Sequence, residues 1–391
     1  MSVRRVVLFA PHFAEYATRL AIGLSERCAV LLIVNRKNFG AECSKSLQLQ
    51  AARSVTIIDF SADGRIGSHI SLVAILARIA RFRPDVVHVQ EQSDPLTVRI
   101  CELARALWPV VLTVHDPIPH SGRDGDWAKR MKPFRLRGRR AADGFHVHGR
   151  YCARMLRQSL TDEGDEVPPH LATAHGTILV PEPGQLRAPD PRRILMFGRM
   201  EGYKGLDILL AAVPQIDIGG AAFEVVLAGK GPALDAHADL LGASNGITVK
   251  NWYLSPAEVV AEFQAASVVV TPYRNATQSG VVSAAFGNGR PVVASRVGGL
   301  ADVVEHGHNG LLIEPGDPRA LAVALSRLLR TPDEFTRLAA GARQAARGSL
   351  SWQTISSDLV DFYDDLRGLR RDRKSSIGGL SERANSADAA V

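Results

Sequence analysis

Residues 194–207 read Ile-Leu-Met-Phe-Gly-Arg-Met-Glu-Gly-Tyr-Lys-Gly-Leu-Asp. An apolar run, Ile194–Phe197, stops at Gly198, and a helical pattern opens at Leu206 and runs to Val213. The run is continuous rather than alternating, which suits a strand covered on both faces. The stretch therefore predicts a strand, a turn and a helix. The turn carries Arg199, and Lys204-Gly205 opens the helix. A helix N-terminus presents unpaired N–H groups and a partial positive charge, so it attracts phosphate. An arginine fork and a lysine point charge beside it would make a diphosphate clamp. The plain alternative is a solvated basic turn.

The same unit repeats in both directions. Upstream, Val6–Phe9, Val30–Val34, Val55–Ile58, Val86–Val89 and Val110–Val114 read as strands. Helical patterns at Phe13–Arg27, Ser68–Arg81 and Asp94–Leu107 separate them. Downstream, strands are expected at Phe223–Ala228, Ile247–Val249, Val268–Val270 and Val292–Ala294, with helices after Pro232 and over Ser255–Ala265. Such alternation predicts crossover units and parallel sheets. Between the two series lies 181–191, with four prolines and one glycine, which continues neither a helix nor a central strand. The expected organisation is α/β: two Rossmann-like, doubly wound domains facing a central cleft. The first covers 1–180, the linker 181–191 and the second 192–350. A helix over 351–370 and a disordered tail over 371–391, rich in Ser, Ala, Asp and Arg, complete the chain.

Two more loops in the second half have an anion-binding pattern. Thr271–Val282 leaves a strand, passes a small polar stretch and opens a helix at Gln278, Ser279, Gly280 and Val281. Gly289–Leu300 crosses a strand and reaches Gly298-Gly299. Three such loops converging on one sheet edge mean more than any one of them, because ligands of open α/β sheets bind there.

The chain has 391 residues, 46% hydrophobic, with a net charge of +7. That length accommodates two domains, and the positive balance favours anionic partners. Cys28, Cys43, Cys101 and Cys152 form no metal-ligand spacing and read as reduced thiols. The apolar part of the N-terminus is too short for a signal peptide, and no run suits a spanning helix. A cytoplasmic protein, soluble or peripheral to the inner membrane, is expected.

The wording of the chain resembles the glycosyltransferases of the GT-B fold, family 4. The segments that carry this are FGR…YKGLDILLAA, VVLAGKGP, TPYRNATQSGV, GRPVVASRVGGLADVVEHGHNGLLIEPGD and VVLTVHDPIPH, within Val3 to Leu369. The resemblance implies a retaining transferase that needs no metal or other cofactor. A nucleotide-sugar donor would sit on the second domain, and a sugar, glycan or lipid-linked acceptor on the first. Arg199 and Lys204 match the basic pair that neutralises the leaving diphosphate. Gly198, Gly229 and Gly231 match loops beside the nucleotide. Asn251-Trp252-Tyr253 matches the segment lining the base, where Tyr253 could stack. His115 matches an interdomain histidine near the transferred sugar, with Asp116 and His120 keeping its surroundings polar; a satisfied core histidine is the alternative. The last helix would cross back to the first domain.

One departure is plain. The family carries two glutamates in the TPYRNATQSGVVSAA region, and their positions fall on Ala276 and Ala284. A branch with TQSG wording shares this loss. A non-catalytic partner subunit and a nucleotide-sugar epimerase are the alternatives; the epimerase would need carboxylates that the second half scarcely offers. Asp124-Gly-Asp126 is a DxD motif in what reads as a polar loop of the wrong half for metal binding. Residues Arg123 to Arg140 are densely basic with Trp127, Met131 and Phe134 interleaved, although Pro133 interrupts a helix. This segment could meet an anionic membrane surface. No nucleic-acid recognition module is present, so nucleic acid is not an expected partner.

Overall fold

The structure is a computed structural model that describes residues 2–61, 64–118, 123–182, 184–242 and 246–388, with the backbone alone over 64–70, 123–128 and 373–388. The first half holds β1 (Arg5–Ala10), β2 (Ala29–Asn35), β3 (Thr56–Phe60), β4 (Val86–Gln90), β5 (Val110–Val114), β6 (Gly144–His148) and β7 (His170–Thr173). They form one parallel sheet in the order β3-β2-β1-β4-β5-β6-β7. The second half holds β8 (Arg193–Phe197), β9 (Glu224–Ala228), β10 (Ile247–Lys250), β11 (Val268–Thr271), β12 (Val292–Ser295) and β13 (Gly310–Ile313). Its order is β10-β9-β8-β11-β12-β13, again all parallel. Two Rossmann-like doubly wound units follow, as the sequence predicts.

The continuous apolar strands are explained by where their faces go. Val7 and Phe9 of β1 enter one core layer, while Val6, Leu8 and Ala10 enter the layer on the opposite face. Ile194 and Met196 of β8 likewise face one layer and Leu195 the other. Helix entry is local chemistry. Asn35, Ser44, Asp94 and Asp317 cap the helices that follow them, and Ser255 with Glu258 closes a capping box. Four cysteines are free and buried.

Regular structure stops at Thr173 and resumes at Arg193, so the expected linker lies inside that interval. The final helix departs from expectation. It spans Trp352–Asp388, so the expected tail is helical to Asp388 rather than irregular, and 389–391 lie outside the described residues. Its first part crosses back as expected. Ile355, Leu359, Val360, Tyr363 and Leu366 are buried with Val6, Leu8, Leu20 and Leu24 of the first half. Tyr363 is fully buried, and its hydroxyl is 2.5 Å from His88 Nδ1. Arg367 pairs with Asp85 at 2.7 Å.

The basic segment is also more regular than predicted. Helix Arg123–Arg140 runs through Pro133, and Asp124 and Asp126 lie in that helix, not in a loop. Lys132 pairs with Glu163, Arg137 with Glu102, Arg139 with Glu91 and Arg140 with Asp165. Those contacts fasten the second turn and beyond to the fold, which tolerates the one hydrogen bond a proline removes.

Leu359 is fully buried between the final helix and the first sheet. Leu359→Ala is expected to cost about 2–5 kcal/mol of folding stability, read from urea unfolding. An unshifted urea midpoint would show that the returning helix is not part of the core.

Candidate functional site

In each sheet the strand order reverses at one place: between β1 and β4, and between β8 and β11. Loops leaving the carboxyl ends of the two switch-point strands diverge to opposite faces and open a crevice. In the second half, β8 leads into Gly198, Arg199 and Lys204, and β11 leads into the Gln278–Val281 turn. A β-carbon at Gly198 would lie 2.7 Å from Lys204 Nζ and 3.7 Å from Val281 Cγ2. The two loops therefore meet over Gly198, whose φ of 111° also favours glycine.

Lys204 ends a short 3-10 turn, Gly202–Lys204, and only 6% of it is exposed. Its ammonium donates to Tyr273 Oη at 3.1 Å and lies 5.0 Å from the centre of that ring. Burial lowers its pKa, with Arg199 pushing the same way and Tyr203 and Glu201 opposing. Among the described residues Lys204 thus has a neutral hydrogen-bond partner and no ion pair with a carboxylate. Arg199 has a half-exposed side chain 3.9 Å from Glu201. The helix beginning at Gly280 has no side-chain cap from Ser279. Its first amides can accept an anion, since helix termini leave them unpaired. Gln278 Oε1 is buried with no hydrogen-bond partner among the described residues.

The flanking strands add the other glycines. Gly229 and Gly231 follow β9, packed so closely that β-carbons would collide with Gly198 O and, at 2.5 Å, with Met200 O. Gly298 follows β12 at φ 48°, and a side chain there would overlap the carbonyl of Ala276; Gly299 presses on Thr277 O. Gly198, Gly229, Gly231, Lys204, Gln278–Val281 and Gly298-Gly299 thus form one rim along β9-β8-β11-β12. Trp252 and Tyr253 follow β10 at the sheet edge and are 48% and 79% exposed. Ala276 and Ala284 are 6% and 0% exposed within an apolar core layer, so their places hold packing, not charge.

The first half contributes His115, at the end of β5. It is 3% exposed, and both nitrogens are engaged: Nε2 with Gln90 Oε1 at 2.8 Å, Nδ1 with His148 Nε2 at 3.1 Å. Phe13 stacks on its ring at 4.0 Å. Phe13 itself is 42% exposed with φ 55°, a conformation unusual for an aromatic. His120 lies outside the described residues. Asp116 crosses the cleft to accept a hydrogen bond from Thr277 Oγ1. Cys152 Sγ contacts Thr277 O at 3.2 Å, Asp302 accepts from Tyr151 N at 2.6 Å, and Ser283 Oγ donates to His175 O at 2.9 Å. The two rims are therefore in contact.

A feature absent from the sequence reading is a set of five buried histidines: His88, His115, His146, His148 and His175. His88 Nε2 and His146 Nδ1 share Thr113 Oγ1 at 2.6 and 3.1 Å. Burial is the main cause that drives all five below their ordinary value. His115 and His146 fall to about 3 and His175 to about 4. The signal was present as histidines at the ends of neighbouring strands, but it needs the strand order to be seen.

Comparison with known proteins agrees with this geometry. Residues 14–165 match the family described as Glycosyltransferase Family 4, and residues 191–331 match Glycosyl transferases group 1. D-inositol 3-phosphate glycosyltransferase from Corynebacterium urealyticum is 34% identical over 180 residues, covering 43% of this chain and 42% of that protein. Glycogen synthase from Mycobacterium tuberculosis is 27% identical over 293 residues, covering 72% of this chain and 69% of that protein. The chain spans less than half the length of the inositol-phosphate relatives it matches. Among solved structures, sucrose-phosphate synthase from Thermosynechococcus elongatus has a TM-score of 0.71 at 18% identity, over 94% of this chain and 100% of that one. Anabaena HepE in complex with UDP has a TM-score of 0.66 at 17% identity, over 93% and 100%. These likenesses show the GT-B fold. The chain belongs to the family 4 glycosyltransferases.

The neutral histidines set a pH dependence. Unfolded imidazoles titrate near 6.5, whereas the folded protein holds His115, His146 and His175 at about 3 to 4. Between those values the unfolded chain binds more protons, so stability falls as pH drops below 6.5, by up to about 1.4 kcal/mol per pH unit for each histidine. Urea midpoints at neutral pH and at about pH 5 should differ accordingly. Equal midpoints would mean that the cluster is protonated or solvated when folded.

Proposed function

We propose that this protein transfers a sugar, with retention of configuration, from a nucleoside-diphosphate sugar on the second half to an acceptor on the first. The supporting observation is the meeting of Gly198, Lys204 and Val281 at the β8/β11 switch point beneath an uncapped helix N-terminus. As the glycosidic bond breaks, negative charge builds on the diphosphate. Lys204, Arg199 and the amides of Ser279–Val281 are preorganised donors for that charge, which is where electrostatic catalysis gains most. The buried ammonium matters most, because charge interactions weaken less where water is excluded. No metal is required for this step. Binding of UDP or UDP-glucose is a property of the Anabaena neighbour, and a uridine nucleotide is accordingly the first donor base to try.

Lys204→Met keeps the side-chain volume and removes the charge; Arg199→Ala alters a half-exposed side chain. Each should lower kcat/KM by about 100-fold or more with the melting temperature of Arg199→Ala unchanged. A panel of UDP-, GDP- and ADP-sugars, followed by release of nucleoside diphosphate, provides the assay. Wild-type turnover in both variants at subsaturating donor would end this assignment. A second reading, a nucleotide-binding subunit without turnover, is favoured by the alanines at 276 and 284. Calorimetric UDP binding with no sugar transfer across the panel would select it.

The acceptor side includes an anionic membrane surface in this reading. No helix among the described residues is long and apolar enough to cross a membrane. Lys129 and Arg130 are exposed on helix Arg123–Arg140. Lys129→Glu with Arg130→Glu should weaken sedimentation with phosphatidylglycerol vesicles, and salt should do the same, since screening acts over roughly 10 Å at 0.1 M. Salt-insensitive binding would remove the membrane from this proposal.

A further inference from the structure

Three of the buried histidines form a group that the transfer reading does not use as a set. His115 follows β5, His148 ends β6 and His175 follows β7. They are 3%, 2% and 7% exposed, and one nitrogen from each lies within 4.8 Å of the other two. Ring centres are 4.8 Å apart for His115 and His148, 4.9 Å for His148 and His175, and 6.3 Å for His115 and His175.

The hydrogen bonds select the tautomers. His175 Nδ1 is 2.9 Å from Gly176 O, and a carbonyl can only accept, so Nδ1 carries the proton and Nε2 a lone pair. His115 Nε2 donates to Gln90 Oε1, which leaves the lone pair on Nδ1; that lone pair accepts from His148 Nε2–H at 3.1 Å, so an ion at this contact replaces the shared proton, which moves to the unpaired His148 Nδ1. Metal-bound imidazoles are held in this way, with the outer N–H fixed by an amide or carbonyl oxygen and the lone pair turned inward, as for His115 and His175. Two nitrogens about 2.0–2.1 Å from a tetrahedral zinc stand roughly 3.3 Å apart, close to the His115–His148 separation; closing His175 onto the same ion needs a shift on the order of 1 Å. Burial already keeps all three rings neutral, and neutral imidazole is the ligand form.

A second observation concerns unpaired atoms. His148 Nδ1, Gln90 Nε2 and Tyr16 Oη are buried without hydrogen-bond partners. All three belong to this cluster, since the Tyr16 ring packs against His115, His148 and His175 at 5.0, 5.3 and 5.1 Å. A buried polar atom left unpaired costs about 1–3 kcal/mol. Gln90 Nε2 can only donate and Tyr16 Oη can donate, so both lack an acceptor such as a metal-bound water oxygen, and His148 Nδ1 becomes the outer N–H once Nε2 takes the ion.

We propose that His115, His148 and His175 bind one divalent transition-metal ion of the zinc type, with a fourth position for an oxygen ligand. An all-imidazole set suits zinc, copper or nickel and is unsuited to magnesium or calcium, which take oxygen. The ion cross-braces the ends of β5, β6 and β7. It sits behind Phe13, which covers His115, and beside the donor loop, because His175 Cε1 is 3.8 Å from where a β-carbon at Gly280 would be. Its role is to hold the acceptor-side wall against that loop; the transfer step does not run through it. The site therefore stands or falls independently of the sugar-transfer reading.

The test uses the full chain, produced with zinc in the medium and purified without chelator. Plasma mass spectrometry should find about one zinc per chain. Cobalt(II) added to chelator-stripped protein should give the intense visible bands of a low-coordinate site and raise the melting temperature, since the ion binds only the folded form. The double variant His148→Gln, His175→Gln, folded by circular dichroism, should lose both effects. If it does not fold, His175→Gln alone should weaken cobalt binding at least about tenfold. Wild-type protein with no zinc above background and no cobalt bands beyond those of the aqueous ion overturns the proposal. Undiminished cobalt binding in the folded variants overturns it equally.

Discussion

Two chain crossings hold the halves face to face, and the site exists only because they do. One is the segment between Thr173 and Arg193; the other is the helix that starts at Trp352 and buries Leu359 and Tyr363 in the first half. A single linker would let two Rossmann-like units rotate freely. A second crossing, bonded through Tyr363 to His88 and through Arg367 to Asp85, turns the pair into a hinge with a restricted range. The contacts at the rim are then small and polar: Asp116 with Thr277, Tyr151 with Asp302. Polar contacts of that kind can open and close at little cost, which would suit the admission of a donor and release of a nucleotide in the proposed transfer.

The two walls solve opposite electrostatic problems. The second half gathers positive potential from Lys204, Arg199 and an uncapped helix end, and among the described residues no carboxylate forms an ion pair with the lysine. Its buried ammonium, with a lowered pKa, is costly until an anion arrives. The first half is lined with imidazoles that burial keeps neutral. Neutral rings add no charge of their own beside the cationic wall, and neutral imidazole is the form that binds a metal ion.

How much of this could be read from the sequence follows from which signals are local. Strands built from β-branched runs, such as Val110–Val114 and Val268–Val270, declare themselves because both faces are buried. β6, β7 and β13 did not: Gly144-Phe-His-Val-His148 and His170-Leu-Ala-Thr173 carry histidines, and Gly310–Ile313 is four residues long. Their burial is a tertiary fact that the residues alone understate. The final helix runs past its expected end at 370 through Gly378-Gly379 and four serines, a composition that does not favour a helix on its own. The grouping of Gly198, Lys204 and the Gln278–Val281 turn at one sheet edge was legible because a strand-to-helix turn has its own local grammar. The histidine cluster was not, since His115, His148 and His175 meet only once β5, β6 and β7 are known to be neighbours.

The two missing glutamates are the point where resemblance and structure have to be reconciled. Ala284 is fully buried and Ala276 nearly so, both inside an apolar layer with Tyr273, Phe286 and Leu300. A carboxylate placed at 284 would need a partner to offset its desolvation. The helix presents packing surface there, with Ala276 and Ala284 inside the apolar layer. Contacts to a ribose must then come from elsewhere along the rim. What remains at the switch point is backbone and cation: glycines that let chains approach, an amide-bearing helix end, Lys204 and Arg199. Such groups recognise phosphate through geometry and charge and are indifferent to the base. In the proposed transfer these are the groups that would act on the leaving diphosphate, where negative charge builds as the glycosidic bond breaks.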